Sequence, residues 1–225
     1  MKAIILAAGK GTRMKELTKY IPKPLLKVDG KAILERNLDQ LKGLVSEIVI
    51  VVGYLKEKIM EHFGTSYDGM KITYVIQKQQ RGTGDALLAV ADYDVNVLKD
   101  RFLLMMGDDL YFKEDIEACL NFDNSILAQK VDDPSRFGVF VVEDGLIKDV
   151  VEKPKEFVSD IANVALYVFD GVDMGELEES ERGEIEFTDV VLDVVNGRDV
   201  HCVMAKKWIP IADASDLAKA EELMK

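Results

Sequence analysis

Leu6-Ala7-Ala8-Gly9-Lys10-Gly11-Thr12-Arg13-Met14 leaves the apolar run Ala3 to Leu6, and how this stretch is read decides the fold. A short continuous apolar run predicts a parallel strand buried on both faces. Gly9 and Gly11 then permit a sharp turn that points backbone N–H groups at an anion, and Arg13 adds a planar, permanently charged fork suited to phosphate oxygens. Lys23, in Pro22-Lys23-Pro24, supplies a second cation on a stiffened segment. Two better-known phosphate loops fit poorly. A P-loop needs four residues between its first Gly and a Gly-Lys-Ser/Thr, but Gly11 follows Gly9 by two and precedes Thr12. A dinucleotide fingerprint wants a third Gly where Met14 stands and a strand-end acid about twenty residues on, whereas Asp29 lies in an Asp29-Gly30 turn.

Outward from this loop, strand patterns alternate with helical ones, which predicts a parallel sheet between helices. Strands are expected near 2 to 7, 47 to 52, 71 to 76 and 101 to 106, and helices near 31 to 42, 55 to 63, 84 to 91 and 113 to 120. After about residue 124 the pattern turns to strand on strand, at 125 to 129, 137 to 143, 146 to 152 and 161 to 169, followed by helices near 189 to 196 and 215 to 224.

Gln77-Lys78-Gln79-Gln80-Arg81-Gly82-Thr83-Gly84-Asp85 follows the strand Ile72 to Ile76, at the edge where open α/β sheets place ligands. The Gln77 amide offers donor and acceptor to a pyrimidine edge, Gly82 permits close backbone approach, and Thr83 is expected to cap the next helix. Asp108 follows the strand Phe102 to Met106 and a Gly. Its hard oxygens suit Mg²⁺, which commonly binds through one or two carboxylates plus substrate phosphates. Asp213 is the best second ligand, and Asp109 competes with Asp108 for the first role. Glu152 can accept from hydroxyl donors and Lys153 can hold a phosphate, although Glu152-Lys153-Pro154 alone is a common surface string.

LAAGKGTRM at 6 to 14 followed by PKPLL at 22 to 26 resembles the nucleotidyltransferases that join a nucleoside triphosphate to a sugar 1-phosphate and release pyrophosphate. The resemblance covers nearly the whole chain. It implies a Rossmann-like three-layer sandwich, with a mixed, mostly parallel sheet and a small sugar-binding lobe, in one domain. Residues 1 to 123 would form the nucleotide-binding half and 124 to 225 the sugar-binding half. Leu6, Ala7, Ala8, Gly9, Gly11, Thr12 and Arg13 would wrap the triphosphate, with Gln77, Gly82 and Thr83 at the base. Arg13, Lys23 and Asp108 would be catalytic, and Asp108 and Asp213 would jointly bind the metal. Gly138 in Phe137-Gly138-Val139, then Glu152 and Lys153, Asn163, and Thr188 before Asp189 follow the order of the sugar-phosphate residues in the family. The Gly-Thr-Gly form of the base loop resembles uridylyltransferases more than guanylyltransferases. Two departures stand out: Asp85 occupies a position where histidine is common in bacterial uridylyl enzymes, and Ala165 stands where a glycine usually follows the Asn by two, so a narrowed sugar pocket is expected.

Composition is that of an ordinary globular chain, with 225 residues, 48% hydrophobic content and a mean hydropathy of zero. No segment is long and apolar enough for a membrane span and no secretory h-region opens the chain, so a cytoplasmic protein without a membrane partner is expected. Longer relatives continue into a left-handed β-helix; with the last residue at Lys225, no acetyltransferase half is expected. Cys119 and Cys202 match no zinc or CxxC spacing and are expected to be reduced, and His62 and His201 to serve packing or surface. The net charge of −12 argues against nucleic acid as a partner. Residues 1 to 36 nevertheless carry nine Lys or Arg against three Asp or Glu, which predicts a basic patch for a small polyanion. The expected reaction joins UTP or dTTP to a sugar 1-phosphate of the glucose or N-acetylglucosamine class, with Mg²⁺ and in a possible homo-oligomer. The alternatives are a non-catalytic nucleotide-sugar sensor and a phosphocholine cytidylyltransferase. A nicotinamide oxidoreductase is disfavoured by Met14 and the missing ribose acid.

Overall fold

The amino-terminal apolar run forms β1 (Lys2–Ala7), and from Ala3 on every residue of it is buried. The computed structural model describes residues 1–175, 177–180 and 183–224. After β1 come a kinked 3₁₀ segment (Thr12–Thr18), β2 (Lys27–Val28), β3 (Lys31–Ala32), α1 (Ile33–Gln40), β4 (Glu47–Val52), α2 (Lys56–Phe63), β5 (Ser66–Tyr67) and β6 (Met70–Ile76). Then follow α3 (Thr83–Asp94), α4 (Asn96–Lys99), β7 (Arg101–Met106), α5 (Lys113–Leu120) and β8 (Ser125–Lys130). The last part holds β9 (Gly138–Glu143), β10 (Leu146–Glu152), β11 (Ile161–Asp170), α6 (Phe187–Gly197), β12 (His201–Met204) and α7 (Ala214–Leu223).

Ten strands form one mixed sheet in the order β5-β6-β4-β1-β7-β11-β8-β12-β10-β9. β6, β4, β1 and β7 are mutually parallel, whereas β5, β10 and β11 run against the rest. Successive side chains of a strand point to opposite faces, and β1 splits accordingly. Ile4 and Leu6 join a core with α3, α4 and α6, while Ala3, Ile5 and Ala7 join a second core with α1, α2 and α5. The sheet is therefore covered by helices on both faces.

β11 changes partner along its length: Leu166 to Asp170 pair with β7, and Ala162 pairs with Val139 of β9. With β8, β12 and β10 completing the circuit, these pairings close into a five-strand ring. The switch falls at an irregularity between Asn163 and Tyr167, where Ala165 has φ 58°.

Three local expectations change. The helix expected from Lys31 begins at Ile33, because Lys31 and Ala32 pair back on Lys27 and Val28 across the Asp29-Gly30 turn. His201–Met204, read as no element, adds a strand parallel to β8. The basic amino-terminal stretch does not make one patch: Lys2, Lys19, Lys31 and Arg36 pair with Glu47, Glu16, Glu35 and Asp29. Both cysteines are reduced, as expected. No helix among the described residues is long and apolar enough to cross a membrane.

The loop after β6 is stitched to a remote segment. Ile185 N–H donates to Arg81 O at 2.6 Å and Gly84 N–H donates to Ile185 O at 2.8 Å. Gly82, at φ +109°, has room for no side chain, since a Cβ there would lie 2.4 Å from Ile185 O. Gly82→Ala should therefore destabilise by on the order of 1–3 kcal/mol. Gly145→Ala, at φ +77° with open space around it, should cost only about 1 kcal/mol. Denaturant midpoints of the two variants check the ranking.

Candidate active site

Because β1, β6 and β7 are parallel, their carboxyl ends share one edge, and the three loops leaving them line a cleft of about 820 Å³. That size suits a small-molecule site. Leu6, Ala8, Gly9, Gly11, Thr12 and Arg13 line it, together with Lys10. Ala7 does not; its side chain is turned into the core on the other face, so it can offer a ligand only backbone. Gly11 stands at φ 60° ahead of the 3₁₀ segment, and its carbonyl accepts from the Thr18 hydroxyl at 3.0 Å. Arg13 makes no ion pair among the described residues, so its charge is available to a ligand. Lys23 is 7% exposed, and its Nζ donates to Asp108 Oδ2 at 2.6 Å.

Asp108 and Asp109 separate cleanly. Asp108 lines the cleft. Asp109 is half-buried and accepts from Ile211 N–H at 2.9 Å, and next to it Leu110 and Ile209 form a bridge. Burial, then the neighbouring Asp108 charge, push the Asp109 carboxyl up to about 6. The turn is held from below by Asn37 of α1, whose amide donates to Asp109 O at 2.8 Å and accepts from Tyr111 N–H at 3.3 Å. Asp109 thus hangs the 209–211 segment on the β7 turn and leaves Asp108 to face the ligand.

Ala212 reaches the cleft wall, whereas Asp213 is not part of it. Asp213 caps α7 through Oδ1, accepting from Ser215 N–H at 2.8 Å, Ser215 Oγ–H at 2.7 Å and Asp216 N–H at 3.3 Å. These bonds, the Ser215 hydroxyl first, lower its pKa and keep it anionic. Among the described residues no three His, Cys, Asp or Glu side chains cluster as a metal site. The donor set therefore fits Mg²⁺ in its sparse mode, in which one or two carboxylates act with substrate phosphates, and does not fit a closed protein cage.

On the base side Gln77 is buried, and its Nε2 donates to Gly82 O at 3.1 Å and to Asp85 Oδ2 at 2.8 Å. Arg81 grips the other oxygen of Asp85 from Nε at 3.1 Å and Nη2 at 2.7 Å. Thr83 does not cap α3 as expected. Gly82 holds the cap position without a side-chain bond, and Thr83 Oγ1 instead accepts from Phe187 N–H at 3.2 Å, joining the starts of α3 and α6.

Gly138, Glu152, Lys153, Asn163 and Thr188 line the same cleft, brought together by β9, β10, β11 and α6. A Cβ on Gly138 would lie 2.8 Å from Glu152 Oε2, so the glycine admits the carboxylate. Lys153 Nζ lies 3.1 Å from Glu152 Oε1. Asn163 shapes the β11 irregularity: its Oδ1 accepts from Ala165 N–H at 2.9 Å and its Nδ2 donates to the Tyr167 hydroxyl at 2.8 Å. Thr188 Oγ1 is buried with no partner among the described residues. Arg136, Glu184 and Glu186 also line the cleft and were not singled out from the sequence. Nothing local marks them, since they reach the cleft through strand pairing and the Ile185 stitch.

A sequence model of the nucleotidyl transferase family matches residues 2–225. The chain is 38% identical over 227 residues to the bifunctional protein GlmU of Methanococcus maripaludis strain S2, an alignment spanning 98% of this chain and 53% of that protein. It is 37% identical over 238 residues to the UTP–glucose-1-phosphate uridylyltransferase AglF of Haloferax volcanii, spanning 99% of this chain and 96% of that one. The chain is thus about half the length of GlmU and close to the full length of AglF. Among solved structures, a Bacillus anthracis protein provisionally named a glucose-1-phosphate thymidylyltransferase and holding sucrose superposes with a TM-score of 0.87 at 29% identity, over 99% of this chain and 94% of that one. The phosphate loop at the end of β1, the cleft it opens and a family match along almost the entire length lead to one conclusion: the chain belongs to the nucleotidyl transferase family.

Proposed function

We propose that this protein joins a pyrimidine nucleoside triphosphate, UTP or dTTP, to a sugar 1-phosphate of the glucose or N-acetylglucosamine class and releases pyrophosphate. One observation carries the reading: the phosphate loop, the base loop and the sugar-side residues line a single cleft, with Arg13, Lys23 and Asp108 among them. The activity for which AglF is named, at 37% identity and 96% coverage, supports UTP and glucose 1-phosphate as the first pair to test. In this reading the fold is a Rossmann-like sandwich in one domain. Residues 1 to 123 serve the nucleotide, and 124 to 225, with the five-strand ring as the lobe, serve the sugar.

The reaction is an in-line displacement. An oxygen of the sugar phosphate attacks the α-phosphorus, the new O–P bond forms, the bond to the β-phosphate oxygen breaks, and pyrophosphate carries the electron pair away. The attacking phosphate oxygen is already a nucleophile, so the protein needs no side-chain nucleophile and works by positioning and charge neutralisation. Backbone N–H groups around Gly9 to Thr12 cradle the triphosphate, and Arg13 meets its oxygens. Lys23 supplies charge at the transferring phosphate and holds Asp108 in place. Asp108 would hold Mg²⁺, which when bound neutralises phosphate charge as a Lewis acid, and Asp213, which caps α7 through Oδ1, would join as the second carboxylate through Oδ2. Glu152 and Lys153 orient the sugar phosphate. Retention of Arg13, Lys23 and Asp108 in the cleft argues against a non-catalytic sensor, and Glu152 beside Lys153 favours a sugar over phosphocholine.

Pyrophosphate release from a panel of triphosphates crossed with sugar 1-phosphates tests the proposal, with UTP or dTTP expected to outrun ATP and GTP. Arg13→Ala and Lys23→Ala should each lower kcat on the order of 10²- to 10³-fold in folded protein; near-normal turnover in either would remove its assigned role.

Activity should vanish with EDTA and return with Mg²⁺. Asp108→Asn should raise the Mg²⁺ requirement strongly, whereas Asp109→Asn should do little, because Asp109 is not part of the cleft wall and the Asn amide oxygen can still accept from Ile211 N–H. A reversed ranking in Mg²⁺ titrations would assign the ligand to Asp109.

A further inference from the structure

The two polar ends of the Gln77 amide are not equivalent in this protein. Nε2 has two hydrogens, and both are committed, to Gly82 O and to Asp85 Oδ2. A backbone carbonyl and an ionised carboxylate can only accept, so the amide cannot turn over without setting its oxygen against two others. Asp85 is in turn fixed by two bonds from Arg81 to its second oxygen. The chain Arg81, Asp85, Gln77 therefore runs one way, and Gln77, which lines the cleft, has its Oε1 acceptor left to offer a ligand.

We infer that Asp85 is a specificity-determining positioning residue: by locking the Gln77 amide with its oxygen toward the base, it selects a pyrimidine that carries a ring N–H donor and rejects one that carries a ring acceptor. Uracil and thymine have a hydrogen on N3. Cytosine has a lone pair there, which would face the Oε1 lone pairs in a buried setting. The wrong base then leaves polar groups unpaired, and discrimination built this way is large. This deepens the pyrimidine reading of the site and rests on it, and it gives the departure at Asp85 a role. A donor-only or dual side chain at that position would not impose the same polarity on Gln77.

The test compares kcat/KM for UTP and CTP at a fixed sugar 1-phosphate concentration, in the wild-type chain and in Asp85→Asn and Arg81→Ala. An amide at position 85 can donate or accept, and loss of Arg81 frees Asp85 to turn. Each variant should therefore lower the UTP:CTP ratio tenfold or more, chiefly by improving relative use of CTP. KM for the sugar 1-phosphate should stay unchanged, which a general loosening of the site would not allow. Melting temperatures show whether each variant is folded; if Asp85→Asn does not fold, Arg81→Ala, at a half-exposed side chain, still decides. A wild-type ratio near one, or an unchanged ratio in the folded variants, overturns the role of Asp85 while leaving the transferase reading in place. A wild-type preference for purine triphosphates overturns the pyrimidine reading itself.

Discussion

A strand with both faces buried can offer polar chemistry only where it ends. β1 is such a strand, flanked by β4 and β7 and covered by helices on either side. Its neighbours are parallel to it, so their ends fall on the same edge, and the glycine loop, the Gln77 loop and the Asp108 turn meet there without any of them being adjacent in sequence. The rest of the architecture follows from closing that edge. β11 covers the open side of β7 and carries Asn163 to the far wall of the cleft, while the segment before α6 is stitched to the base loop by backbone bonds at Ile185 and by the Arg81–Glu179 ion pair.

What could be read from the sequence was what is local. The run Ala3 to Leu6 and the strands at 47 to 52 and 101 to 106 are so uniformly apolar that only a buried parallel sheet accounts for them. The glycine loop and Lys23 carry their chemistry in their side-chain types. Asp108 could be preferred over Asp109 by alternation along a strand, and Asn37, which supports that turn from a helix about seventy positions earlier, could not. Thr83 looked like a cap because Ser and Thr usually cap; a glycine at φ +109° took the position, and the hydroxyl went to a helix start 104 residues away. The four-residue strand His201–Met204 has too few residues to show a period. Asp85 registered as an oddity of the loop, since the polarity it imposes on Gln77 exists only once both are buried together.

Charge was the least legible property. Nine cations in the first thirty-six residues suggest a phosphate-attracting surface, yet several spend themselves on neighbouring carboxylates, and such exposed pairs are worth little. One of the two that face the cleft from this stretch with a proposed role, Lys23, is buried. Lys23 and Asp108 compensate each other in the cleft lining, so the site presents little net charge from this pair, and in the proposed reaction an incoming triphosphate would compete for the ammonium instead of meeting an orphaned ion.

The insertion of β11 beside β7 also has a bearing on how the chain is made. β7 ends at Met106, while the strand that covers its outer side spans Ile161–Asp170. During synthesis at roughly 5–20 residues per second, β7 leaves the ribosome several seconds before its partner does. In that interval an apolar strand with a bare edge, Phe102-Leu103-Leu104-Met105-Met106, is open to pairing with other chains. Residues 1 to 123 thus lack the strand that closes β7, and the bare edge persists between the emergence of residue 106 and that of residue 170.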